Sequence, residues 1–380
     1  MNTDVKVPTY VLVGLLFLAA IGLLTGLYAG LIRLGFLSDV KHSVSPLAHG
    51  PLMINGFLGT LIGLERAAAL DKKWAFIGPV FMAVSTVFLL TGLQIPGEWS
   101  LILGSIGLTT VMGFLYYLQP KIYHLIMALG AGALLVGNLF YVFGFPIYTL
   151  VGWWAAFPML TIFGERLELN RIMRPPKQAQ RIFAGLILGW ILALTITHFN
   201  RMIGWGIASL FLIGVAGWLI QYDVARRTIK SVEWTRYSAI SLLTGYGWLI
   251  LAGLFGLWYG FPTAGPLYDG LLHMIFVGFV FSMIFAHASV IIPSLSGKMV
   301  PWHSYFYLPL ILLHGFLMVR VLGDLLLSPL VRTIGSHGNV LAILLFLVGV
   351  LSQLISDAYE KKKELHNRNV KSVDDNSSRL

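Results

Sequence analysis

Two histidine-bearing stretches carry the chemistry available to this sequence. The first is Pro46–Leu70, PLAHGPLMINGFLGTLIGLERAAAL. It has His49 in its first turn, Gly56, Gly59 and Gly63 beyond it, and Glu65-Arg66 near its end. At about 100° per residue, these glycines fall within roughly 80° of the histidine's face. A histidine followed by a Gly-lined face can accept a flat, bulky group against the backbone. Close packing between membrane helices through small residues is the plainer reading of the same glycines. The second stretch runs from Tyr268 to His287 and contains His273, Gly278 and Met283. His273 and His287 are separated by about 21 Å of helical rise and return to within roughly 40° of one face. One helix therefore offers an imidazole near each of its ends.

Two imidazoles from different helices at similar depth can bind haem iron axially, or ligate a metal with a further partner. His49 and His273 are the candidates for that pair. Haem propionates would need a cation nearby, and Arg320 is placed to supply one. An intrahelical pair of Arg320 with Asp324, four residues on, is the competing use of that side chain. His287, and His314 in mid-span, complete the candidate metal ligands. His314 opens His-Gly-Phe-Leu-Met, which echoes His-Gly-Pro-Leu-Met at His49. His42 falls near the outer surface and His198 and Tyr246 receive no role, while a two-haem variant using His273 and His287 would need a second inner histidine such as His124 or His314.

These residues are carried by a chain whose class is set by composition. Of its 380 residues, 57% are hydrophobic and 11% charged, and the mean hydropathy is +0.81. A soluble domain carries about 25% charged residues. Apolar runs of about twenty residues recur without alternation, which selects membrane-spanning helices over a β-barrel. Twelve spans are expected, at roughly 8–35, 46–70, 74–93, 99–118, 121–144, 146–168, 181–199, 203–222, 236–259, 266–292, 304–327 and 338–358. Residues 1–358 then form one transmembrane domain, and 359–380 a charged, disordered cytoplasmic tail. The net charge of +10 resides in short loops and the tail. It reads as an orientation signal and not as a nucleic-acid surface. Arg171, Arg174, Lys177 and Arg181 follow span six, and Arg226, Arg227, Lys230 and Arg236 follow span eight. The opposite loops are nearly free of basic residues, which predicts both termini in the cytoplasm of a cell with an inner membrane.

The chain has no cysteine. That excludes thiolate metal sites, iron–sulfur clusters and covalent haem attachment, so any haem here is b-type. Spans two and six end alike, in Gly63-Leu-Glu65-Arg66 and Gly164-Glu165-Arg166. The echo hints at a pseudo-threefold repeat of four spans. Snorkelling of both pairs to the membrane interface is the simpler account.

The twelve spans, the histidine opening span two and the histidine near the start of span ten resemble the haem–copper oxidase subunit I superfamily. The span-ten pattern His273-x4-Gly278-x4-Met283 is more similar to the NnrS family, linked to nitric oxide stress and proposed to bind haem and copper. The resemblance implies that His49 and His273 ligate a low-spin haem. It implies electron transfer or small-gas handling, with a redox partner or respiratory-complex subunits beside the lipid bilayer. It does not extend to a complete oxygen-reducing centre. Span six has no histidine, span seven has only His198, and span ten has His273 in place of a paired His-x-His. The contrasting expectation is a transporter, channel or structural subunit without cofactor, its histidines and Glu-Arg pairs lining a polar path.

Overall fold

The computed structural model describes residues 7–35 and 44–377, with side chains as far as 356; His42 lies outside the described residues. The protein is an all-α, multi-span membrane protein. Its twelve spans are α1 (Thr9–Arg33), α2 (Pro46–Leu70), α3 (Lys73–Leu90), α4 (Gln94–Leu118), α5 (Ile122–Val142), α6 (Ile147–Met173), α7 (Lys177–Ile196), α8 (Arg201–Tyr222), α9 (Glu233–Tyr259), α10 (Pro266–Ser296), α11 (Ser304–Leu325) and α12 (Pro329–Ser356). Helices are the solution because lipid offers the backbone no hydrogen-bond partner.

The span boundaries follow local chemistry. Pro176 stands immediately before α7, so that span starts four residues earlier than expected. Asn200 caps α8 by accepting a hydrogen bond from the Ile203 amide. Gly260, with φ of 68°, ends α9 in a conformation that other residues rarely adopt. The largest departure is α12, which begins at Pro329 and not near 338. Its first turns contain Arg332, whose guanidinium turns toward Asp324 of α11. The polar segment expected to be a disordered tail continues this helix to Ser377.

Spans α2, α6 and α10 touch one another at the centre of the bundle. Their most apolar stretches are 67%, 78% and 61% buried, against 56% or less for every other span. The remaining helices pack largely on their sequence neighbours around this trio. The second member of each successive set of four is thus central.

The parallel spans α2 and α10 share a local register. Each carries an eight-residue π-helical segment just after its histidine, Leu52–Gly59 and Met274–Phe281. Such i→i+5 segments are rare and frequently mark functional sites. Phe57 and Phe281 each lie eight residues beyond their histidine, and their rings stack with centroids 6.0 Å apart. This contact packs α2 against α10 about two turns beyond the histidine pair.

The glycine face of α2 serves helix packing. A Cβ on Gly22 of α1 would lie 2.9 Å from the Gly56 carbonyl carbon. A Cβ on Gly59 would meet Met82 at 3.2 Å, and one on Gly63 would meet Leu108 and Pro79. Neighbouring helices therefore occupy the face that the sequence offered to a flat ligand. Replacing Gly22 by valine should destabilise the protein by about 1–3 kcal/mol through overpacking, read as a lower unfolding midpoint in detergent. An unchanged midpoint would show that α1 and α2 do not approach this closely.

Candidate functional site

The structure brings His49 and His273 together. Their ring centroids are 6.2 Å apart and their planes are inclined by 20°. Both side chains are half-buried at the end of the bundle where α2 and α10 begin. His49 Nδ1 lies 2.8 Å from the Gly26 carbonyl of α1, and His273 Nδ1 lies 2.8 Å from the Asp269 carbonyl one turn earlier in α10. A carbonyl only accepts, so each Nδ1 carries the proton and donates. In the neutral ring the lone pair is then on Nε2, and no hydrogen bond among the described residues engages either Nε2. Two imidazoles are thus fixed in the tautomer that metal ligation uses, with their outer nitrogens held by backbone.

The spacing has a simple interpretation. A metal lies about 2.0–2.1 Å from an imidazole nitrogen and the ring centroid ~1.1 Å behind it, so trans ligands on one metal have centroids roughly 6.2–6.4 Å apart. Offset packing of two aromatic rings spans a similar range, about 4.5–7 Å. Ring separation and tautomer together permit both arrangements, since His287 and His337 also place Nδ1 on the carbonyl four residues earlier.

The charges bearing on His49 are those of Arg33, Arg320 and Asp269. Arg320 is buried in α11 and pairs with Asp269 of α10 through two bonds of 2.8 Å, Nε to Oδ2 and Nη2 to Oδ1. The intrahelical pairing with Asp324 is not formed. Asp324 instead faces Arg332, with 4.0 Å between Oδ1 and Nε, because α12 delivers a second guanidinium to that end of α11. Arg320 therefore reaches the histidine pair indirectly, through the Asp269 carboxylate, whose Oδ1 lies 3.3 Å from His273 Nδ1. Beside them the Tyr268 hydroxyl is buried without a hydrogen-bond partner, and the Arg33 charge acts on it. Arg33 and Tyr268 join the site only through tertiary placement. The sole sequence signal was a basic residue at the end of span one.

His287 and His314 do not converge on this pair. His287 Nδ1 donates to the Met283 carbonyl at 2.6 Å, and its Nε2 accepts from Arg166 at 2.7 Å, so both nitrogens are occupied. The Trp248 indole donates to His314 Nδ1 at 3.0 Å. The His314 proton is therefore on Nε2, which is buried and unpartnered and has no lone pair for a metal. The four-histidine ligand set expected from sequence thus reduces to His49 and His273. Among the described residues no group of three or more His, Asp or Glu side chains is arranged to hold a metal ion.

A second polar cluster occupies the opposite end of the central trio. Arg66 of α2 pairs with Glu165 of α6 and lies 3.5 Å from Glu65. Arg166 is buried and donates to His287 of α10. The Arg166 charge also acts on Tyr246 of α9, whose hydroxyl donates to Asp223 at 3.0 Å. The Glu-Arg pairs therefore turn inward and link the three central helices. They do not snorkel, because each finds its partner on an adjacent span.

A family model described as a domain of unknown function (DUF8744) matches residues 12–355. No curated protein and no solved structure matches the chain.

Proposed function

The chain belongs to the DUF8744 family, and we propose that it is a membrane protein holding a b-type haem between His49 and His273. The supporting observation is the pair of adjacent imidazoles, each with Nδ1 donating to a carbonyl and each with Nε2 uncommitted. The donor set suits haem, which needs two axial nitrogens and brings its own equatorial ligands. Copper suits it less well, since among the described residues no third His, Asp or Glu side chain is arranged with the pair to hold a metal. Bound haem supplies one-electron redox chemistry, or binding of a small gas such as nitric oxide where one axial position opens. His49 and His273 would hold the iron. The Gly26 and Asp269 carbonyls orient the rings. Arg33 and the Tyr268 hydroxyl offer a cation and a donor to propionate carboxylates.

This function resembles that of the NnrS and haem–copper oxidase families, and a redox partner or respiratory subunits would meet the protein at its histidine end. The deciding experiment is the visible spectrum of the detergent-purified protein, oxidised and dithionite-reduced, with metal analysis. A Soret band that shifts on reduction is expected. Folded, haem-supplied protein with no Soret absorbance and no copper would end the proposal. It would promote a transporter, which the half-buried Glu65, Arg66 and Glu165 with buried Arg166 independently favour.

The basic loops support an orientation with both termini on the cytoplasmic side of an inner membrane. A C-terminal tag should be digested in inside-out vesicles and protected in spheroplasts. The reverse pattern would invert the topology.

A further inference from the structure

The two histidines of the pair are held unequally. His49 Nδ1 meets a neutral carbonyl. His273 Nδ1 meets a carbonyl at 2.8 Å and, in addition, the Asp269 carboxylate at 3.3 Å. That carboxylate is clamped by the fork of Arg320, which is buried within a spanning helix. A charged group buried in protein is costly unless it is paired and hydrogen-bonded. A bidentate guanidinium–carboxylate pair also fixes orientation in a way that a single bond does not. Close packing fits the same purpose: Gly270, next in sequence to Asp269, leaves room for Asp324, whose Oδ2 would lie 3.1 Å from a Cβ at that position.

We infer that Asp269, oriented by Arg320, sets the donor strength of His273 and thereby the reduction potential of the group held by the histidine pair. This rests on the haem reading above. A carboxylate at Nδ1 draws the ring toward imidazolate and strengthens Nε2 as a donor, so it favours the more positive, oxidised metal. The Arg320 cation opposes this by neutralising the carboxylate. Asp269 and Arg320 are positioning residues: neither is required to touch the bound group, and their effects have opposite signs.

The test is potentiometric titration of purified, haem-loaded protein carrying D269N, D269E or R320Q, with haem stoichiometry measured in each. In D269N the carboxylate is lost and the Arg320 charge is left uncompensated, so the potential should rise. In R320Q the carboxylate is left uncompensated, so the potential should fall. D269E keeps the charge and should return toward the wild-type value. The electron paramagnetic resonance spectrum of the oxidised form should change with D269N, because the axial field of His273 weakens. Shifts of opposite sign support the inference. Unchanged potentials, or shifts of the same sign in D269N and R320Q, overturn it while leaving the haem reading intact. If D269N fails to retain haem, a fall in R320Q supports the inference and an unmoved R320Q potential overturns it. Wild-type protein without haem would remove the haem reading and this inference together.

Discussion

His49→Ala and His273→Ala should each lower bound haem by about tenfold or more, since even the residues that merely support a metal ligand are worth 10–100-fold. Each ring reaches the site from a different central helix and each has its Nδ1 fixed, so neither can replace the other. Alanine leaves one axial nitrogen. Any haem that remains should be five-coordinate, with a shifted, weaker Soret band and open to exogenous imidazole. Imidazole rescue of the spectrum would separate a missing ligand from a misfolded bundle. His314→Ala is the informative control, because that ring accepts from Trp248 and carries its proton on Nε2. His303→Ala is a second control, its Nδ1 being occupied by the Tyr305 amide. Both should keep the wild-type spectrum. Equal loss of the Soret band in all four variants would mean that haem retention tracks bundle stability and not ligation.

The sequence carried the spans and the histidine pair for physical reasons that do not require tertiary information. A run of twenty apolar residues must be a helix in lipid, and two histidines at the start of parallel spans share a depth by arithmetic alone. What it could not carry was the direction of each polar side chain around its helix. Arg320 has carboxylates on its own helix and on α10, and only the packing of α12 assigns Asp324 to Arg332. His287 and His49 look alike in sequence, but one imidazole is occupied by an arginine from α6 and the other by a carbonyl from α1. The glycines of α2 were equally ambiguous, since space for a ligand and space for a helix are the same absence of a side chain. The shared register of Phe57 and Phe281 was legible in principle, as equal offsets from two histidines.

Arg66→Met should destabilise the protein by about 3–5 kcal/mol, the cost of leaving one member of a buried ion pair without its partner. Glu165 has 19% of its side chain exposed and Arg66 has 15%, so water relieves part of that cost and the lower end is expected. The double substitution Arg66→Met with Glu165→Leu should recover most of the loss, because apolar replacement of a whole buried pair is often neutral or stabilising. The recovery is incomplete, since Glu65 also faces Arg66 at 3.5 Å and loses its neighbour in both variants. The measurement is reversible unfolding in mixed micelles, arranged as a double-mutant cycle. A coupling of 1 kcal/mol or less would place the pair in the range of solvated surface bridges, about 0–1 kcal/mol. That result would return Glu65-Arg66 and Glu165-Arg166 to interfacial anchors. A large coupling would instead mean that the three central helices are fastened at one end by charge, opposite the end where two of them present histidines.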